Sequence, residues 1–112
     1  MQNLQKFYIN GKWINPQSSK KMPVVNPATE EIIGEVILGN EEDVNIAVNA
    51  AKESFKSFSK TSKEERMLIL KNIRKISEAR FDDLADAMTI EMGAPKKMSR
   101  EAQADAAIGH LD

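Results

Sequence analysis

Proline and glycine are confined almost entirely to the two ends of this sequence. Three of the four prolines and three of the five glycines precede Asn40, and neither residue occurs from Asn40 through Met92. Because these residues are the strongest breakers of regular structure, we expect strands and turns in residues 1–39 and helices in residues 40–112. The distribution therefore predicts a chain with strands in its first part and helices in the rest.

The composition excludes several classes of protein. The net charge of −1 leaves no basic surplus to hold nucleic acid. With 112 residues, of which 41% are hydrophobic, the chain has enough apolar surface for one modest core but not for two domains. No apolar run approaches the roughly 20 residues that span a bilayer, and the start lacks a secretory signal. These features predict a soluble cytoplasmic chain without a nucleic-acid or membrane partner.

The first region contains a strong hairpin signal. In the segment FYINGKWIN, Asn10 and Gly11 stand between two short β-rich runs and supply the two positive-φ positions of a type I′ turn. Further along, Val24 and Val25 are predicted to be extended. The N-P pair that follows them opens a turn before the strand EIIGEVIL.

Two helices are predicted after this region. Helix one runs from Asn40, its N-cap, to about Ser57, and its apolar stripe is Val44, Val48, Ala51, Phe55 and Phe58. Helix two follows the segment TSKEER, where Thr61 or Ser62 caps the helix and Glu64 or Glu65 closes a capping box. Its predicted buried face consists of Leu70, Ile73 and Ile76.

Helix three has an apolar side and a clear stop signal. Gly93 follows its last residue and Pro95 lies just beyond. The apolar side consists of Phe81, Leu84, Ala85, Met88 and Met92. A fourth helix, from Lys96 to about Leu111, is rich in alanine and less clearly sided.

The residues themselves indicate no catalytic or cofactor site. The chain has no cysteine, one histidine (His110) and neither common glycine-rich phosphate-binding motif. The basic trio Lys96, Lys97 and Arg100 is interpreted as a solvated helix face, with an anion-binding patch as the alternative. Taken alone, the composition supports no enzyme.

The order of the segments resembles the N-terminal part of the aldehyde dehydrogenase superfamily. The matching segments are FYINGKWI, VVNPATEEIIGEV, EDVNIAVNAAKESF, SKEERMLILKNI and TIEMGAP, and together they extend over essentially the whole chain. The resemblance implies an aldehyde dehydrogenase-like α/β fold. This chain would supply a hairpin, a strand and about four helices of the cofactor-binding domain, beside a Rossmann-like sheet that comes later in the family. As a part of that domain, residues 1–112 would be incomplete.

The resemblance also implies the chemistry of the parent protein. Members of the family oxidise an aldehyde to a carboxylic acid with NAD or NADP. A cysteine forms a thiohemiacetal, hydride leaves for the nicotinamide, and a glutamate-activated water hydrolyses the thioester. Family members are usually homodimers or homotetramers. Because the motifs for these steps lie downstream in the family, we assign no catalytic or cofactor-binding residues here and expect the 112-residue chain alone to be inactive.

One site carries over from the family by position. Some members bind a structural monovalent cation through backbone carbonyls just before the N-P turn and through a carboxylate on the fourth helix. The positions in this sequence are Val24, Val25 and Asp105. The alternative is that the two valines simply pack and the aspartate is solvated.

Two functions are therefore open. The first is an aldehyde dehydrogenase fragment, favoured because the sequence stops at IGHLD in mid-helix. The second is a free-standing helical interaction module without catalysis, which would use exposed apolar stripes to bind a partner. If the stripes have no sheet to cover them, we expect the isolated chain to be marginally stable, molten or prone to aggregation.

Overall fold

The computed structural model describes residues 5–111. Residues 1–4 and 112, which belong to the predicted regions 1–39 and 40–112, lie outside the described residues. The strands are β1 (Phe7–Ile9), β2 (Lys12–Ile14), β3 (Lys21–Val25) and β4 (Ile32–Ile37). The helices are α1 (Glu41–Phe58), α2 (Lys63–Ala79), α3 (Phe81–Met92), α4 (Lys96–Met98) and α5 (Asp105–Gly109), with a π-helical segment (Ser99–Ala104) between the last two.

The strands form two small sheets. In the first, β1 and β2 pair antiparallel, with Tyr8 opposite Trp13 and Ile9 opposite Lys12. Asn10 and Gly11 have φ values of 52° and 74°, so the type I′ hairpin is confirmed. The second sheet pairs β3 with β4, which confirms the predicted extended conformation of Val24 and Val25.

The chain divides into two compact units. One comprises the described part of Met1–Val24 together with Ile32–Thr61, and the other comprises Val25–Glu31 together with the described residues from Ser62 onward. The hairpin and α1 belong to the first unit, whereas α2, α3 and the last helical stretch belong to the second. No helix among residues 5–111 has the length and apolar character needed to cross a membrane.

The predicted caps of the first two helices are confirmed. The Asn40 side chain accepts a hydrogen bond from the Asp43 backbone N–H, and α1 ends one residue later than predicted. For α2, the structure selects Ser62 and Glu65 from the alternatives: the Ser62 hydroxyl accepts from the Glu65 N–H, and the Glu65 carboxylate accepts from the Ser62 N–H. Both helices begin with complete capping boxes. In each, the N-cap side chain accepts a hydrogen bond from the backbone N–H three residues later, and the carboxylate of that later residue accepts one from the N-cap N–H.

The predicted buried face of α2 is wrong for this chain. Leu70, Ile73 and Ile76 remain 48%, 45% and 59% exposed. The stripe of α1 is likewise uncovered, because Val44, Phe55 and the other large members of that stripe are exposed. The helical periodicity that identifies these faces is real, but no element of the described chain covers them.

The end of α3 agrees with the prediction, and the helix after it is present but has a π-helical middle. Gly93 terminates α3 in the left-handed conformation, and Ala85 is the buried member of the predicted apolar side. The predicted fourth helix begins at Lys96 and continues to Gly109, two residues short of the predicted end, and its residues Ser99–Ala104 are π-helical. A π-helix bonds residue i to residue i+5, so it has more residues in each turn than an α-helix. Periodicity arguments based on 3.6 residues per turn do not detect it.

Asp43 is the buried carboxylate that organises the first unit. Its Oδ1 accepts a hydrogen bond of 2.7 Å from the Gln17 N–H, and its Oδ2 accepts from the Asn40 N–H at 3.0 Å and the Ser18 N–H at 3.4 Å. The hydrogen bond from Gln17 is the main cause of its lowered pKa, burial acts in the opposite direction, and Asn40 and Ser18 lower the pKa further. Asp43 therefore fixes the segment after β2 to the start of α1.

We predict that Asp43→Asn lowers the melting temperature at neutral pH. The amide would turn an N–H donor toward backbone N–H groups that need an acceptor. Because the folded-state pKa is depressed, the stabilisation is complete above the unfolded pKa and is lost as the pH falls through the folded value. The difference in melting temperature between wild type and variant should therefore shrink below about pH 4.

Circular dichroism melts between about pH 7 and about pH 3 test this prediction. Glu42→Gln is the matched control, since Glu42 is an exposed carboxylate in the same first helical turn. Equal melting temperatures for wild type and Asp43→Asn at pH 7 would contradict the proposed role of the carboxylate.

Candidate functional site

The turn after β3 is held by its own side chains. The Asn26 Oδ1 accepts a hydrogen bond from the Ala28 N–H at 2.9 Å, and the Thr29 hydroxyl accepts from the Glu31 N–H at 3.4 Å. Backbone bonds close the loop, from the Asn26 N–H to the Glu31 carbonyl and from the Glu30 N–H to the Asn26 carbonyl. Asparagine and threonine are suited to this role because their short side chains reach the backbone two residues onward.

The same turn contains backbone strain at Glu30. Its φ is 61°, and Asn10 of the hairpin is the only other non-glycine residue among the described ones with a positive φ. Asparagine tolerates this region, whereas for glutamate the cost is about 1–2 kcal/mol. The hydrogen bonds of the turn therefore hold Glu30 in a conformation that it would not adopt by itself.

Gly93 brings the two most distinctive sequence motifs into contact. A Cβ placed on Gly93 would lie 2.8 Å from the Ala28 nitrogen and 3.0 Å from both the Ala28 Cβ and the Pro27 Cγ. The glycine also has a φ of 66°. The N-P-A-T turn therefore packs directly on the C-terminus of α3, and E-M-G-x-P is a contact site as well as a stop signal. Sequence reasoning detected the stop, but the contact requires the fold.

The π-helical segment packs its two buried residues against α3. Ser99 and Ala104 are completely buried, and the Thr89 hydroxyl donates a hydrogen bond of 2.8 Å to the Ser99 hydroxyl oxygen. Five residues of α-helix turn through about 500°, which would place positions 99 and 104 on different faces. The wider π turn brings both closer to one face, on which Ser99 accepts the hydrogen bond from Thr89 of α3.

The basic trio is an exposed helix face with acidic partners for two of its members. Arg100 forms an ion pair with Asp82, and its guanidinium lies 5.3 Å from the centre of the Phe81 ring. Lys97 lies 3.9 Å from the Glu101 carboxylate. Because nearby carboxylates offset these charges, the geometry favours the solvated face over the anion-binding patch.

The three predicted cation-site residues occupy the following positions. Val24 is half-buried in β3, Val25 is exposed at the end of that strand, and Asp105 is exposed at the first residue of α5. Within residues 5–111 no three or more histidine, aspartate or glutamate side chains group together to hold a metal ion. The predicted site would use two carbonyl oxygens and a single carboxylate, which is a different arrangement, so it stays a prediction.

The described residues do not fit the phosphates of a dinucleotide. Such phosphates bind at helix N-termini through free N–H groups and the positive end of the helix dipole. Here the first turns of the three long helices carry acidic side chains, namely Glu41, Glu42 and Asp43 in α1, Glu64 and Glu65 in α2, and Asp82 and Asp83 in α3. Gly39 precedes α1, but a Phe7 ring carbon lies 3.3 Å from the position its Cβ would take. Charge and packing both oppose a phosphate.

A shallow groove lies between α2 and α3 in the second unit. Its volume is about 260 Å³, below the roughly 300–1,000 Å³ of typical ligand pockets. Ile76, Leu84 and Ala87 line it together with Ser77. The charged groups at its edge engage each other, since the Arg80 Nε donates to Asp83 at 3.0 Å. The groove therefore directs no free charge at a ligand.

Comparison with known proteins identifies the family. The sequence model of the aldehyde dehydrogenase family matches residues 13–112. The chain belongs to this family. The match confirms the resemblance of its segments to the N-terminal part of aldehyde dehydrogenases.

Individual aldehyde dehydrogenases share both sequence and fold with the chain. The 3-succinoylsemialdehyde-pyridine dehydrogenase of a Pseudomonas species is 41% identical over 112 residues, which are 99% of this chain and 24% of the relative. The solved aldehyde dehydrogenase of Bartonella henselae matches with a TM-score of 0.94 and 38% identity, over 96% of this chain and 22% of that one. Aldehyde dehydrogenase C of Pseudomonas syringae, a mutant solved with NAD+ and octanal, matches with a TM-score of 0.95 and 40% identity, over 97% and 22%.

These matches confirm the α/β aldehyde dehydrogenase fold. The chain spans about a quarter of the length of the curated relative and 22% of each of the two solved chains. The small sheets and helices described above are therefore the corresponding part of a much larger fold in those proteins.

We predict that Gly93→Ala destabilises the chain. The left-handed conformation alone costs about 1–2 kcal/mol for a residue with a Cβ, and the close approach to Ala28 adds to it. Gly109→Ala is the matched control, because nothing lies within 4 Å of the added Cβ and the residue is helical. The control should be neutral or stabilising by up to about 1 kcal/mol.

Urea unfolding of the two variants and of wild type measures both effects. A Gly93→Ala variant as stable as Gly109→Ala would show that the turn does not depend on its contact with α3.

Proposed function

We propose that this chain is part of the cofactor-binding domain of an NAD(P)-dependent aldehyde dehydrogenase, in which it serves as scaffold. The parent enzyme would oxidise an aldehyde to the carboxylic acid. The nucleophile and the cofactor-binding residues would lie outside this chain, which contains no cysteine and whose acidic helix starts oppose phosphates. The NAD+ complex of the Pseudomonas syringae relative supports a nicotinamide cofactor for the parent.

The uncovered apolar faces are the observation that carries this proposal. On α1, Val44, Phe55 and Phe58 are 58%, 66% and 49% exposed, and on α2, Leu68, Leu70 and Ile76 are 59%, 48% and 59% exposed. Burying a side chain of this size contributes about 1.5–3 kcal/mol, so a cover over these faces would stabilise the chain by several kcal/mol. Because relatives carry the same fold inside chains four times longer, the remainder of such a chain is the natural cover for α1 and α2.

A hybrid enzyme tests the proposal. In it, this chain replaces the corresponding 22% of Pseudomonas syringae aldehyde dehydrogenase C with its catalytic residues intact. We expect NAD-dependent oxidation of octanal well above that of the same relative lacking the segment. A soluble, folded hybrid without any activity would count against a shared scaffold role.

Within the hybrid, Phe55→Asp probes the stripe of α1. If the remainder of the enzyme buries this ring, the substitution should cost about 3–5 kcal/mol and abolish soluble activity. Asn49→Asp is the matched control, because it introduces the same charge at an exposed position away from the stripe of α1.

The free-standing interaction module predicts different results. In that case the hybrid would be inactive, and Phe55→Asp would leave it as soluble as Asn49→Asp does. The 112-residue chain alone would also unfold cooperatively as a soluble monomer, although its apolar faces are exposed.

The cation site at Val24, Val25 and Asp105 belongs to the same proposal. Its support is the family resemblance, with the two valines immediately before the N-P turn and an exposed carboxylate at Asp105. In the hybrid, sodium or potassium should raise the melting temperature more than choline chloride of the same ionic strength. A cation at about ten times its Kd stabilises by about 1.4 kcal/mol.

Asp105→Ala should remove this difference between sodium or potassium and choline. Glu101→Ala, an exposed carboxylate one turn earlier, should keep it. An equal effect of sodium or potassium on wild type and Asp105→Ala would exclude the site.

A further inference from the structure

The turn of the β1–β2 hairpin places an exposed side-chain amide directly before an exposed glycine. Asn10 and Gly11 are both exposed and both have positive φ values. Nothing lies within 4 Å of the position that a Gly11 Cβ would occupy. No side chain at position 11 therefore covers the peptide bond between Asn10 and Gly11, and the space beside the Gly11 Cα is empty.

The sequence makes this position unlike every other asparagine. Asn10 is the only asparagine followed by glycine. The others precede leucine, proline, glutamate, isoleucine or alanine, and they are Asn3, Asn15, Asn26, Asn40, Asn45, Asn49 and Asn72. A side chain on the following residue hinders ring closure onto the preceding amide, and proline has no N–H to react. The chemistry therefore selects one site.

We propose that Asn10 is a site of spontaneous deamidation and isoaspartate formation. The Gly11 nitrogen loses its proton and attacks the Asn10 side-chain carbonyl carbon, forming a five-membered succinimide. The bond from that carbon to the side-chain nitrogen breaks, and ammonia leaves with the proton. Water then opens the ring at the side-chain carbonyl to give aspartate, or at the backbone carbonyl to give isoaspartate.

Isoaspartate would alter the hairpin more than a change of charge does. It routes the main chain through the former side chain and so adds one backbone carbon to a two-residue turn. The pairing of Ile9 with Lys12 requires the unmodified turn length. The Tyr8 and Trp13 rings, whose centres are 5.1 Å apart across the strands, would lose their register. The enzyme class that recognises this product is a carboxyl methyltransferase specific for isoaspartyl groups.

Timed incubation of the full chain at mildly alkaline pH tests the proposal. Peptide mass mapping measures conversion at Asn10, with Asn15 and Asn49 as internal references, and methyl transfer by an isoaspartyl methyltransferase counts the isoaspartate. Trp13 is the only tryptophan, so its emission reports the hairpin before and during incubation. The rate of conversion at Asn10 in the folded chain is compared with the rate in the same chain unfolded in urea.

We expect conversion at Asn10 within roughly tenfold of the rate in urea, because a two-stranded hairpin is marginally stable and opens often. The emission of Trp13 should change in step with isoaspartate formation. Asn10→Gln should block methylation, since its longer side chain closes a ring much less readily. Asn10→Asp should add the charge and leave the initial Trp13 emission as in wild type.

Two results would overturn the proposal. One is native-like Trp13 emission with no conversion at Asn10 after the chain in urea has converted fully, which would mean that the folded turn protects the amide. The other is equal conversion at Asn15 or Asn49.

Discussion

The Asp43 carboxylate is the polar interaction on which the first unit depends. A buried charge is costly unless hydrogen bonds replace its hydration, and here three backbone N–H groups from two separate segments do so. The same residue closes the capping box of α1. A single side chain therefore starts the longest helix and fixes the segment that follows the hairpin, although the unit has almost no buried apolar core.

In the second unit, Gly93 fixes two segments to each other because it has no side chain. Gly93 ends α3 in a conformation that disfavours any Cβ, and the vacant volume is filled by the N-P-A-T turn. The buried residues of the unit, Ala85, Ser99 and Ala104, are also small. Close packing of small side chains positions these elements but buries little apolar surface. Most of the large apolar side chains are left for other contacts.

Short sequence motifs predict the turns and helix caps of this chain correctly. They do not predict features that depend on contacts between distant residues. The hairpin turn, the caps at Asn40 and Ser62 and the stop at Gly93 each depend on the chemistry of a few adjacent residues, and all are confirmed. The π-helical segment is bonded to α3 through Ser99 and Thr89, and a pattern of 3.6 residues per turn does not predict it. The period of the sequence identifies the apolar face of α2, but it does not determine whether that face is covered, and Leu70, Ile73 and Ile76 are exposed.

The contact between the N-P-A-T turn and the end of α3 shows the same difference between local and long-range structure. The turn after β3 and the stop at Gly93 are predictable from the sequence because turns and caps require particular residues. The contact of Gly93 with Ala28 joins positions 65 residues apart, and only the fold shows it. The function of the chain is harder to predict from its local motifs than its fold is. The first turns of the three long helices carry carboxylates that stabilise the helices and oppose a phosphate. The polar groups of this segment cap its helices, and its large apolar side chains are exposed. These two properties are the physical basis for the proposal that it serves as scaffold.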